Sequence, residues 1–245
     1  MHHFFVSPER IRSDEIYLQG ADVRHMNSVL RMKAGEQLTV SDQCGNRYTC
    51  RLERYEQKNA VLTILQKEDD AAELPARIYL FQGLAKGEKM EWIIQKAVEL
   101  GVHEIIPVET GRSIVRLDAQ KAEKKAERWQ AIAEGAAKQS GRGIIPVVHG
   151  ILTYQAALEY AAGLDVLLIP YERADDMNIT RQALGGIFSG QTAGIFIGPE
   201  GGFAEPEIEL AVARGIRPVT LGRRILRTET AGLAVLSILM YHLES

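Results

Sequence analysis

Two short segments near the C-terminus hold the residues best suited to chemistry: Ile197-Gly198-Pro199-Glu200-Gly201-Gly202-Phe203 and Leu221-Gly222-Arg223-Arg224-Ile225-Leu226-Arg227-Thr228-Glu229-Thr230-Ala231. In the first, proline drives Gly198 toward extended geometry and fixes its own φ. The glycines that follow permit positive φ and let a ligand approach bare backbone. A tight solvent turn is the competing reading, although such a turn gains little from five conformationally special residues in a row. The second segment is basic: between Leu210 and Thr228 the chain carries five arginines (Arg214, Arg217, Arg223, Arg224, Arg227) and no acidic residue. They predict a positive rim. Arg214 and Arg217 read equally well as a solvated loop, whereas Arg227, set among apolar residues at a helix start, would be costly if left unpaired there. Glu229 either caps that helix or pairs with an arginine.

The apolar run 193–197 reads as a buried strand, which puts the glycine-rich turn at a strand's C-terminal end, where open α/β sheets bind ligands. Upstream, residues 1–66 are β-rich, with short β-branched runs around Gly45-Asn46 and Lys58-Asn59 turn signals and one helix over 22–32. The polar, acidic stretch 67–75 reads as a linker, so domains are expected at 1–70 and 74–245. Beyond it strands (78–82, 104–108, 146–149, 166–169) alternate with helices (87–100, 118–139, 154–161, 206–214, 230–243). This alternation implies an α/β domain with a parallel sheet and crossover helices.

Composition narrows the function classes. A net charge of −3 over 245 residues argues against nonspecific coating of nucleic acid. The six histidines show no paired spacing and the two cysteines cannot build a zinc site alone, so no metal is expected. Cys44 and Cys50 flank a turn; a two-residue hairpin there sets Cys44 opposite Arg47, leaving both as free thiols, as suits a cytoplasmic protein. No secretory signal layout is present, and the longest apolar stretch, 231–243, falls short of the ~20 residues that span a bilayer. Gly83-Leu84-Ala85-Lys86-Gly87-Glu88-Lys89 follows a strand and opens a helix but matches neither a Walker loop nor a dinucleotide fingerprint. It reads as a plain turn whose Lys86 and Lys89 could meet a phosphate backbone. Two further basic clusters, Arg10, Arg12, Arg24, His25, Arg31 and Lys33 in the first domain and Arg112, Arg116, Lys121, Lys124 and Lys125 near the long helix, make a polyanionic substrate credible.

At Gly198-Pro199-Glu200-Gly201-Gly202 and Leu221-Gly222-x-Arg224-Ile225-Leu226-Arg227-Thr228-Glu229-Thr230-Ala231 the chain closely resembles the RsmE family of small-subunit ribosomal RNA uridine-N3 methyltransferases, in the SPOUT superfamily. Phe4-Phe5-Val6, His25-x-x-x-Val29-Leu30-Arg31, Gln95-Lys96-Ala97-Val98-Glu99-Leu100-Gly101 and Gln139-Ser140-Gly141-Arg142 look similar too, so the resemblance covers the whole length. Glu134-Gly135 departs from a common Glu-Ala, which weakens a helix slightly. The resemblance implies a PUA-like RNA-binding β-barrel followed by a SPOUT α/β domain with a deep trefoil knot. It also implies S-adenosylmethionine as cofactor, 16S ribosomal RNA in the small ribosomal subunit as partner, and a homodimer with composite active sites. Residue by residue, it implies that Ile169, Ile197, Gly198, Pro199, Gly201, Leu221, Gly222, Arg224, Ile225 and Leu226 surround the donor. Because the donor sulfonium is cationic, Arg224 and Arg227 are better directed at RNA phosphate or the uracil oxygens. Arg227 is expected as electrostatic stabiliser of the deprotonated base, with Glu200 or Glu229 as orienter or proton acceptor. Arg10, Arg24, His25, Arg31, Lys86, Arg112 and Arg142 are expected to contact RNA. Ribose 2′-O-methylation and a non-catalytic RNA-binding assembly factor are the alternatives.

Overall fold

The computed structural model describes residues 1–244; Ser245, the last residue of the expected second domain, lies outside them. The chain divides into two compact units, one comprising Met1–Glu73 with Ala137–Ile145, the other Leu74–Ala136 with the residues from Pro146 onward.

The first unit is a six-stranded sheet in the order β1-β4-β5-β6-β3-β2, built from β1 (His2–Phe5), β2 (Ile11–Arg12), β3 (Glu15–Gln19), β4 (Gln37–Ser41), β5 (Asn46–Glu56) and β6 (Asn59–Asp69). Only β1 and β4 run parallel. Alternation puts Phe4, Ile16, Leu18, Val40, Leu52 and Leu62 in one buried cluster. The β4–β5 connection is longer than a two-residue turn, so Ser41, not Cys44, faces Arg47. Asp42 accounts for the difference: its Oδ1 accepts from the N–H groups of Cys44 (2.8 Å) and Asn46 (3.1 Å), closing the loop with its own side chain. Both cysteines are free, and burial pushes the Cys50 thiol up to about 12. The stretch read as a linker from Lys67 is strand as far as Asp69, because the long β5–β6 hairpin keeps pairing to Asn46↔Asp69. The expected helix over 22–32 is a short α1 (Ala21–Arg24) that widens into a π-turn (His25–Val29) and stops at Arg31, whose φ is +53°.

The second unit carries β7 (Arg77–Gly83), α2 (Lys89–Glu99), β8 (Glu104–Glu109), α3 (Ala119–Ser140), β9 (Val147–Val148), β10 (Leu152–Thr153), α4 (Tyr154–Ala161), β11 (Val166–Pro170), α5 (Met177–Gly185), β12 (Thr192–Ile197), α6 (Glu205–Ala213), β13 (Arg217–Val219) and α7 (Thr228–Leu243). The strands are all parallel, in the order β10-β8-β7-β12-β11-β13 with β9 on β8. Phe81 and Phe196 stack at 4.2 Å in the core beside Ile106, Ile169 and Ile208. Helix α5 has no counterpart in the sequence reading; it is opened by Asp176, whose carboxylate accepts from the Asn178 N–H at 2.8 Å. Parallel strands end on a common edge, so the turns after β7, β11, β12 and β13 gather there. No helix among the described residues is long and apolar enough to cross a membrane.

Candidate active site

Three strand-end loops enclose a cavity of about 340 Å³: 170–172 after β11, 197–203 after β12, and 220–228 leading into α7, with Lys89 and Ala231 completing it. Its size falls in the range of small-molecule sites. The 197–203 loop is held tightly by backbone packing. A Cβ at Gly83 would sit 2.5 Å from Pro199 N, and one at Gly198 would sit 3.0 Å from Gly202 Cα. Gly202 turns with φ +65° and Gly222 with φ +105°, conformations that favour glycine.

Charged groups fasten the same loop. Glu200 Oε1 accepts from the Lys86 N–H and from Lys89 Nζ, both at 3.1 Å, and Lys89 Nζ lies 3.5 Å from Glu229 Oε2. Burial pushes the Glu200 carboxyl up, but the hydrogen bonds from Lys86, its own N–H and the Lys89 ammonium outweigh it, holding the group below the usual carboxylate range. The Glu200 hydrogen bond in turn raises Lys89. Arg112 Nη1 donates to the Gly201 carbonyl at 3.0 Å. Glu207 accepts from the Gly111 N–H and, as the residue that caps α6, from the Ala204 N–H, each at 2.7 Å.

Of the residues expected around a ligand, Ile197, Gly198, Pro199, Gly201, Leu221, Gly222, Arg224, Ile225 and Leu226 all border this cavity, as do Glu200 and Arg227. Ile169 does not. It is fully buried in the core cluster, and strand alternation leaves the contact to Pro170, Tyr171 and Glu172. Arg227 is exposed, not embedded among apolar side chains, because Ile225 itself is 86% exposed. The desolvation expected to demand a partner is absent. The side chains of Arg223, Arg224 and Arg227 make no hydrogen bond or ion pair among the described residues. Glu229 pairs with a lysine, not with an arginine.

The residues expected to touch RNA separate by exposure. Arg24, His25, Arg31, Lys86 and Arg112 are exposed and Arg10 is half-buried. Arg142 is a correction: at 3% exposure its guanidinium is bonded to the Glu73 carboxylate, with Nε to Oε1 at 3.1 Å, and it serves the first unit's packing. In the basic cluster by the long helix, Arg116 pairs with Glu109, Lys121 with Asp118, and Lys125 and Arg128 with Glu91. Sequence reasoning passed over Tyr171, Glu172, Gln82 and the role of Thr228. Only Thr228 carried a signal, as a hydroxyl at a helix start. Among the described residues, no group of His, Cys, Asp and Glu is arranged to hold a metal ion.

An RNA methyltransferase domain model matches residues 72–240, and an RNA methyltransferase PUA domain model matches residues 18–65. The chain is 35% identical to the ribosomal RNA small subunit methyltransferase E of Bacillus subtilis, covering 100% of this chain and 98% of that protein. Among solved structures, the ribosomal RNA small subunit methyltransferase E of Neisseria gonorrhoeae bound to S-adenosyl methionine is 37% identical with a TM-score of 0.84, covering 97% and 95% of the two chains. A putative methyltransferase of Legionella pneumophila in complex with the same cofactor is 33% identical with a TM-score of 0.85, covering 98% and 96%. With more than half of the sequence inside the first model and a full-length relative above 30% identity, this chain belongs to the ribosomal RNA small subunit methyltransferase E family.

Proposed function

We propose that the protein methylates N3 of a specific uridine in 16S ribosomal RNA of the small ribosomal subunit, using S-adenosylmethionine, in the cytoplasm. The observation that carries this reading is the cavity at the ends of β11, β12 and β13, which lies inside the stretch matched by the RNA methyltransferase model. The residues present fit the donor. Bare backbone at Gly198, Gly201 and Gly202 and apolar side chains at Ile197, Leu221 and Leu226 suit a nucleoside, and a Cβ at Gly202 would enter open space. S-adenosylmethionine supplies the methyl group.

Uracil N3 carries a proton at neutral pH that must leave by the time of transfer. Arg227, exposed at the cavity mouth and without a side-chain partner among the described residues, stabilises the resulting charge on O2 and O4. Glu200 and Glu229 orient the mouth through Lys89. A carboxyl held below its usual range is a weak proton acceptor, which favours orienter over base for Glu200. Arg10, Arg24, His25 and Arg31 of the PUA unit, and Lys86 and Arg112 of the methyltransferase unit, are the candidate phosphate contacts.

The reading extends to the assembly and to the chain path. Helix α7 packs on α2 and β12 yet leaves Ile238 47% and Tyr241 79% exposed, with Trp92 of α2 also 46% exposed; this apolar surface supports a homodimer. The return from edge strand β13 to a helix packed against β12 is what a trefoil knot would need.

The test is methyl transfer to small subunits from cells lacking the enzyme, and to naked 16S RNA, with the modified atom mapped by mass spectrometry. Methylated N3 of uridine is the expected product; a ribose 2′-O-methyl, or donor binding without turnover, overturns the reading. In Arg227→Ala, turnover falls by about 10²–10³-fold with donor affinity near that of the unsubstituted protein, as for loss of one transition-state donor. Undiminished turnover removes the arginine from the reaction.

A further inference from the structure

A buried chain of hydrogen bonds runs beneath the 197–203 loop. Gln82, fully buried at the end of β7, stands opposite Ile197 in the sheet register. Its Nε2 donates to Thr228 Oγ1 at 2.8 Å and to the Gly83 carbonyl at 3.0 Å. Thr228, 6% exposed at the first position of α7, then donates its own hydroxyl proton to the Gly198 carbonyl at 2.6 Å. Gln82 Oε1 is buried and has no hydrogen-bond partner among the described residues. Reversing the amide would set that oxygen against the Gly83 carbonyl, acceptor against acceptor, so the direction of the chain is fixed from amide to hydroxyl to carbonyl.

We infer that Gln82 and Thr228 are positioning residues for the donor site, holding the Gly198 carbonyl and with it the backbone that cradles the methyl donor. This rests on the reading of that loop as the donor cradle. The other restraints on Gly198 are steric contacts, from Gly83 on one side and Gly202 on the other. The Thr228 hydrogen bond is directional, and without it a part-buried carbonyl loses its partner. Thr228 borders the cavity, but its proton is committed to Gly198 and a lone pair to Gln82, so it acts through Gly198.

The test is calorimetric titration of the full chain with S-adenosylmethionine, alongside thermal unfolding and steady-state kinetics, for the unsubstituted protein, Thr228→Ser, Thr228→Val, Gln82→Met and the double variant Gln82→Met/Thr228→Val. Thr228→Ser keeps the hydroxyl and binds within about 2-fold, whereas Thr228→Val weakens donor binding by about 10-fold and raises the KM for donor but not for RNA. Because Gln82 acts through Thr228, the double variant binds no worse than Thr228→Val alone. If Thr228→Val does not fold, Gln82→Met carries the test, with a loss of about 3-fold or more expected. The inference is overturned if the folded variants bind donor as tightly as the unsubstituted protein while only Tm falls, or if the two losses add independently. Failure of the unsubstituted protein to bind donor at all would instead remove the donor-cradle reading, and this inference with it.

Discussion

Replacing Gly83 by alanine tests whether the 197–203 loop is placed by backbone packing. The added Cβ would lie 2.5 Å from Pro199 N, 2.6 Å from Pro199 Cδ and 2.9 Å from Gly198 C, all of them backbone or ring atoms that cannot rotate away. Gly83 is not among the positive-φ residues, so alanine suffers no backbone strain and the effect is steric alone. Restoring an ordinary separation of ~3.5 Å requires the loop to move by roughly 1 Å. Overpacking of this kind costs about 1–3 kcal/mol. If that cost falls on the donor-binding conformation, affinity for S-adenosylmethionine drops by roughly 5- to 150-fold, at a tenfold change per ~1.4 kcal/mol. The assay is calorimetric titration with the donor, and Gly215→Ala is the control. Gly215 has φ +82° with nothing within 4 Å of a built Cβ, so its substitution strains the backbone without pushing the loop. Donor affinity in Gly83→Ala equal to that of the unsubstituted protein, or an equal loss in Gly215→Ala, refutes the reasoning.

The remaining expectations concern stability. Gly135 is exposed in the body of α3 with no atom within 4 Å of a built Cβ, so Gly135→Ala should add about 0.5–1 kcal/mol, visible as a Tm rise of about 2 °C. Arg142→Ala leaves the part-buried Glu73 carboxylate without its charged partner, held by the Gly143 and Ile144 N–H groups, and should cost about 3 kcal/mol in chemical denaturation; a loss of RNA affinity at unchanged stability would restore the arginine to the RNA surface. Tyr160 donates to Glu104 Oε2 at 2.6 Å beside His149 Nε2 at 2.7 Å. Burial raises the Glu104 carboxyl, but these two hydrogen bonds together with the charges of His149 and His103 outweigh it and hold the group below its ordinary value. A folded-state pKa below the unfolded one stabilises above the unfolded value and is lost as pH falls through the folded one. Tyr160→Phe should therefore cost about 1 kcal/mol at pH 7, with the difference in Tm closing as pH falls below the ordinary carboxylate range.

The α/β alternation was readable because each element of the second unit carries its own local signal. Helix α4 begins and ends where its pattern does, and Gly101 and Gly215 mark the ends of α2 and α6 with positive φ. Helix α5 lacks so plain a signal because its buried face includes a polar residue, Thr180, beside Ala183 and Leu184, and its start depends on one capping aspartate, Asp176. The β4–β5 loop is longer than its turn residues imply for a related reason. The Gly45-Asn46 pair signals a turn, but Asp42, three residues earlier, decides its length by accepting two backbone N–H groups. Local pattern identifies elements; single side chains reaching a few residues away set their limits.

The site divides along the same line. Glycine and proline act on the backbone of their own position, so the 198–202 and 221–222 turns could be located from residue types alone. Charge acts across space, and counting cations along the chain mixed two populations that the fold separates. Arg142 and Arg116 each face a carboxylate, Glu73 in the loop after β6 and Glu109 at the end of β8 respectively, and are paired within the protein. Arg223, Arg224 and Arg227 come from a stretch free of acidic residues, and among the described residues their side chains form no ion pair in the fold either. An arginine left without an internal partner beside a cavity is available to a polyanion from outside, and the contrast with Arg142 shows that the folded neighbourhood, more than the number of arginines in a segment, decides which cations are.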